Sequence, residues 1–125
     1  MANTKEKKVL IVEDEKPIAK ALQLKLQKSG FIAEVAGNGK EGLEAYKKMK
    51  PDLILLDLIM PVMDGFGFLS EMRQKDKTTA VIVLTNLGQA EDLAKTLKLG
   101  ASQYFIKSET PLSKVVEIIN QLISD

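Results

Sequence analysis

Three short runs in this chain are apolar at every position: Val9-Leu10-Ile11-Val12, Leu53-Ile54-Leu55-Leu56 and Val81-Ile82-Val83-Leu84. A strand with one face in water alternates apolar and polar side chains, so an unbroken run predicts a strand covered on both faces. Strands of that kind lie at the centre of a parallel sheet with helices packed on either side. The stretches between the runs agree. Residues 16–28 carry Ile18, Ala21, Leu22 and Leu26 near helical spacing, with Pro17 in the first turn and Gly30 just beyond the end. Further helices are predicted over residues 38–48, 65–74 and 89–98. A fifth is opened by Thr110 as N-cap and Pro111 in its first turn, with Leu112, Val115, Val116, Ile119 and Leu122 as its apolar side. Two more mixed runs, at 32–36 and 103–106, predict an early strand and a late edge strand. The expected architecture is α/β, a doubly wound five-stranded parallel sheet flanked by five helices. It forms one domain over residues 1–125, with residues 1–7 as a flexible terminus.

Composition removes several functions. The 18 cationic and 17 acidic side chains nearly cancel, so no strongly basic face is expected and the chain should not bind nucleic acid by itself. No cysteine is present, which excludes disulfides, thiolate metal sites and thiol nucleophiles. No histidine is present either, so any chemistry must rest on carboxylates, hydroxyls and lysine. No apolar run approaches a membrane span, and the run at 9–12 is too short for a signal-peptide core. A cytoplasmic location is the expectation.

A doubly wound sheet places its functional residues at the carboxyl ends of the strands, where the winding reverses. The residues there are Glu13 and Asp14 after the first run, Asp57 after the third strand, Thr85 after the fourth and Lys107 after the fifth. Carboxylates converging on one rim repel one another unless a cation joins them, and an all-oxygen donor set with room for water suits Mg2+. Asp14 and Asp57 are the expected direct ligands, with Glu13 acting directly or through water. A carboxylate such as Asp57 can attack phosphorus and form an acyl phosphate when charge on the incoming oxygens is offset. Lys107 would bring a second positive charge to that position, and Thr85 a hydroxyl donor.

Taken together, these residues resemble the receiver domain of two-component response regulators, of the chemotaxis-receiver type. The resemblance rests on Val12-Glu13-Asp14-Glu15, on Leu55 through Gly65 with its Asp57, Met60-Pro61 and Asp64-Gly65, on Leu84-Thr85, on Gly100-Ala101 and on Tyr104-Phe105-Ile106-Lys107. It covers nearly the whole chain and implies the flavodoxin-like strand order 2-1-3-4-5. It also implies that a sensor histidine kinase or phosphotransfer protein donates a phosphoryl group from its phosphohistidine to Asp57. Mg2+ would be bound by Asp14, Asp57 and the main-chain carbonyl of Ile59, with Glu13 assisting. Thr85 and Lys107 would grip the phosphate, and Tyr104 would be the switch aromatic that turns inward as Thr85 moves. The signalling face, residues 89–122, would meet a downstream output protein or domain and is a candidate surface for phosphorylation-dependent homodimerisation.

Two positions depart from common receiver usage. Ser108 follows Lys107 where proline is frequent, so a cis peptide there is not assured; without proline it costs about 2.5 to 4 kcal/mol. Asn86 follows Thr85 where a small residue is usual, and is expected either to narrow the approach to Asp57 or to hydrogen-bond nearby. Ile59 and Leu87 stand where receivers tune water attack on the phosphate, and two apolar groups at that mouth imply a long-lived phosphoryl. Three rival readings remain. A receiver-like interaction module independent of phosphate is opposed by the intact pocket. A flavin carrier is opposed by the anionic Glu13-Asp14-Glu15 loop. A dehalogenase-type phosphatase wants a carboxylate where Ile59 stands.

Overall fold

The computed structural model describes residues 6–123. Five strands, β1 (Lys8–Val12), β2 (Ile32–Ala36), β3 (Leu53–Leu56), β4 (Ala80–Thr85) and β5 (Gln103–Ile106), alternate with helices α1 (Lys16–Lys28), α2 (Gly39–Met49), α3 (Gly65–Arg73), α4 (Ala90–Lys98) and α5 (Leu112–Ile123). All strand pairs are parallel, in the order β2-β1-β3-β4-β5. The five predicted strands and five predicted helices are all present. The lysine-bearing terminus was expected to be flexible through residue 7; residues 1–5 lie outside the described residues, and the Lys7 carbonyl accepts from Ile32 N at 2.9 Å.

The unbroken apolar runs are explained by a core on each face of the sheet. Side chains alternate across a strand, so Val9, Ile11, Leu53 and Leu55 meet α1 and α5, while Leu10, Val12, Ile54 and Leu56 meet the side of α2 and α3. Both sets are essentially inaccessible to solvent. Caps place the helices. Asn38 accepts Glu41 N at 2.9 Å to start α2, and Asp64 accepts Gly67 N at 2.9 Å to start α3.

Helix α5 departs from expectation at both ends. The Pro111 carbonyl accepts from Lys114 N and Val115 N, so the helix begins at Leu112, and Thr110 does not cap it. Leu122 is 45% exposed, whereas Ile118 and Ile123 pack on the core. The apolar stripe drifts with the 3.6-residue period, and by the last turn it has passed to Ile123.

Candidate functional site

The site is built at the carboxyl ends of β1, β3 and β5. Strand β3 ends in Leu56, and Asp57 N still donates to the Val12 carbonyl at 3.0 Å, which fixes the next side chain at the sheet rim. The Asp57 carboxylate is held twice. Its Oδ1 accepts from Leu58 N at 2.7 Å and from Ile59 N at 3.4 Å, and its Oδ2 accepts from Lys107 Nζ at 2.9 Å. Gly65 lets α3 begin directly beneath this turn. A Cβ at Gly65 would lie 2.2 Å from the Asp57 carbonyl oxygen.

Glu13, Asp14 and Asp57 each bring a carboxylate oxygen within 4.8 Å of the others. Glu13 and Asp57 are buried and Asp14 is exposed, so a cation held among them would keep open positions toward solvent. This all-oxygen set fits a hard divalent cation such as Mg2+. Burial raises the Glu13 carboxyl to about 7; its hydrogen bonds to Lys107 and Glu15 N oppose the rise and the Asp57 charge adds to it. Burial alone would lower the Lys107 ammonium, but hydrogen bonds to Glu13, Glu15 and Asp57 outweigh burial and raise it. The lysine is therefore a permanent cation at this rim.

A cavity of about 170 Å3 opens over these groups, lined by Asp14, Glu15, Asp57, Ile59, Asn86 and Lys107. Asn86 lines this cavity alongside Asp57. No peptide bond among the described residues is cis, and Lys107–Glu109 forms a 3-10 turn. Thr85 is fully buried, and its Oγ1 accepts from Leu87 N at 3.4 Å. The Tyr104 hydroxyl donates to the Leu87 carbonyl, and its ring packs on the core cluster. Thr85 and Tyr104 thus meet through one residue. Ile59, 55% exposed, lines the cavity, whereas Leu87 is half-buried against the cluster that holds Tyr104. Of the two apolar groups expected at the mouth, Ile59 is the one placed there.

Two features escaped sequence reasoning. Glu15 Oε2 lies 2.5 Å from Lys107 Nζ. Nothing in a Glu-Asp-Glu run says which carboxylate will reach a lysine 92 positions away. The second lies at the opposite end of the sheet, where Asp76 accepts from Tyr46, Thr78 and Thr79 while Arg73 binds the Gly100 and Thr79 carbonyls. Its only sequence signal was an arginine followed by an aspartate in a polar loop.

A five-stranded 2-1-3-4-5 sheet with an acidic cluster and a lysine at its carboxyl rim defines a receiver-type signalling domain. The chain belongs to that family: residues 9–120 match the response regulator receiver domain. It is 42% identical over 108 residues to a probable transcriptional regulator, ycf27, of Guillardia theta, covering 86% of this chain and 42% of the relative. The chain thus spans less than half the length of that regulator. It is 35% identical over 117 residues to the chemotaxis protein CheY of Thermotoga maritima, covering 93% of this chain and 97% of that protein. A chain of the solved CheX-CheY-BeF3-Mg2+ complex from Borrelia burgdorferi superposes with TM-score 0.85 and 30% identity, over 95% of this chain and 90% of that one. No helix among the described residues is long and apolar enough to cross a membrane.

Proposed function

We propose that this receiver domain takes a phosphoryl group on Asp57 from the phosphohistidine of a histidine kinase or phosphotransfer protein and switches a partner-binding face in response. The observation that carries the reading is the buried Asp57 carboxylate, 5% exposed, joined to Lys107 at 2.9 Å and clustered with Glu13 and Asp14. Asp57 oxygen attacks phosphorus, the P–N bond of the donor breaks, and its electron pair stays with the donor imidazole. Mg2+ held by Glu13, Asp14, Asp57 and the Ile59 carbonyl would offset charge on the phosphoryl oxygens. The Leu58 and Ile59 amides orient the carboxylate, and the fixed Lys107 charge stabilises the transferred group, the type of positioning that dominates phosphoryl transfer. BeF3 and Mg2+ in the Borrelia complex support this reading.

Thr85 donates to the phosphoryl group after releasing Leu87 N, and Tyr104, bonded to the same residue, carries that movement to the face of α4, β5 and α5. That face would engage a downstream protein, an output domain or a second copy of the chain. A cytoplasmic location accompanies the reading. Intact mass after incubation with acetyl phosphate, with and without Mg2+, tests it in the parent and in Asp57→Ala. A Mg2+-dependent gain of one phosphoryl group, absent from the variant, is expected. A gain that survives Asp57→Ala, or a parent that binds no Mg2+, would overturn it.

A further inference from the structure

An ammonium group has three N–H donors. Lys107 donates to Asp57 Oδ2 at 2.9 Å and to Glu15 Oε2 at 2.5 Å, and its ammonium also lies 2.9 Å from Glu13 Oε1 as an ion pair. A phosphoryl oxygen on Asp57 therefore competes with these carboxylates for Lys107. The three are not equal in this. The Glu13 and Asp57 side chains are 4% and 5% exposed and cannot trade the lysine for water without a large desolvation cost, whereas Glu15 is 49% exposed and can. Glu15 also occupies the N-cap position of α1, yet its side chain caps no backbone N–H there. Its carboxylate is drawn instead across the cavity mouth.

We propose that Glu15 is a gate on the acceptor site: it tethers the Lys107 ammonium in the unphosphorylated protein and is the partner that Lys107 exchanges for a phosphoryl oxygen. The proposal rests on Asp57 being the phosphoacceptor. Glu15 is a positioning residue, since it acts through Lys107. Its carboxylate is left to water and to the uncapped start of α1 once the exchange has occurred. The tether opposes loading, so a chain without it binds a phosphoryl mimic more tightly while keeping its Glu13, Asp14 and Asp57 cluster.

The probe is beryllofluoride at saturating Mg2+, with binding followed by amide NMR shifts of Thr85 and Tyr104. Glu15→Gln removes the charge, Glu15→Asp keeps it but shortens the reach, and Glu109→Gln removes an exposed charge two residues beyond Lys107. Both Glu15 variants should bind about twofold to fivefold more tightly than the parent, the range of a partly exposed ion pair. Glu109→Gln should match the parent. All three should unfold within about 3 °C of it. In the Mg2+-free protein, the Lys107 ammonium protons should exchange with water faster in both Glu15 variants. Parent-like binding by Glu15→Gln, parent-like behaviour of Glu15→Asp, an equal gain in Glu109→Gln or unchanged ammonium exchange would each overturn the gate. A parent that fails to bind beryllofluoride would instead refute the reading of Asp57, and the gate would fall with it.

Discussion

One methyl group at Gly65 should separate fold from function in this chain. An added Cβ would sit 2.2 Å from the Asp57 carbonyl oxygen, 2.8 Å from Leu58 Cα and 3.0 Å from the Asp57 carbonyl carbon. That is more than an ångström inside van der Waals contact. All three neighbours are backbone, so no flexible side chain can give way. Either the start of α3 moves off, straining the 3.0 Å bond from Gly65 N to the Leu58 carbonyl, or the acceptor turn moves. Gly67→Ala is the matched control, because the three atoms nearest its Cβ would be side-chain atoms of Met63 and Asp64, the closest at 3.1 Å. Both substitutions gain the helix propensity of alanine, at most about 1 kcal/mol, and the comparison cancels it. Overpacking against immobile atoms costs about 1 to 3 kcal/mol, so Gly65→Ala should be about 2 kcal/mol less stable than Gly67→Ala in urea unfolding. A displacement of Asp57 near an ångström should slow phosphorylation by acetyl phosphate about a hundredfold. Equal midpoints and equal rates for the two variants would refute the close-approach argument.

Asp76→Asn should destabilise the fold by about 1.5 to 3 kcal/mol, the worth of hydrogen bonds to a charged group, as read by thermal unfolding at neutral pH. Burial alone would raise the Asp76 carboxyl, but bonds from Thr79 and Tyr46 outweigh burial and hold it well below the usual carboxylate range. A depressed folded pKa contributes stability above the unfolded value, 3.8, that is lost as pH falls through the folded one. The parent should therefore lose more stability on acidification below about pH 4 than Asp76→Asn does; parallel curves would refute the assignment. Val62 is 78% exposed and holds φ +69, a left-handed conformation that β-branched residues resist. Val62→Gly should stabilise by about 0.5 to 1 kcal/mol, strain relief exceeding the added chain entropy, and an unchanged or lower urea midpoint would sink that account. Ile59→Asn should shorten the phosphoryl lifetime at least about twofold by offering a polar partner to attacking water. Dephosphorylation followed by mass after donor removal checks this, and an unchanged rate would exclude it.

The sequence was most legible where the physics is local. Unbroken apolar runs at 9–12, 53–56 and 81–84 require cover on both faces, and the sheet with two cores provides it. Asn38 and Asp64 start helices because their side chains reach an N–H three residues ahead, a relation visible in the chain itself. The candidate site was readable for a related reason. Glu13, Asp14, Asp57 and Lys107 follow strands and Thr85 ends one, and a parallel sheet carries its strand ends to one rim.

What remained for the tertiary structure were the choices among partners that such a rim makes available. Whether Lys107 would meet Glu13, Asp14 or Glu15 depends on how the loop between β1 and α1 lies against the end of β5, which no short-range pattern encodes; the fold selects Glu13 and Glu15 along with Asp57. The same holds for Leu87, which turned from the mouth toward Tyr104, and for Ile123, which took the core position expected of Leu122. The Asp76 network joins α2, α3 and the loop at Gly100, segments brought together by sheet order alone. Periodicity and capping act within a turn or two and can be read from the chain. Contacts between residues tens of positions apart are set by how finished elements pack, so only the assembled fold decides them.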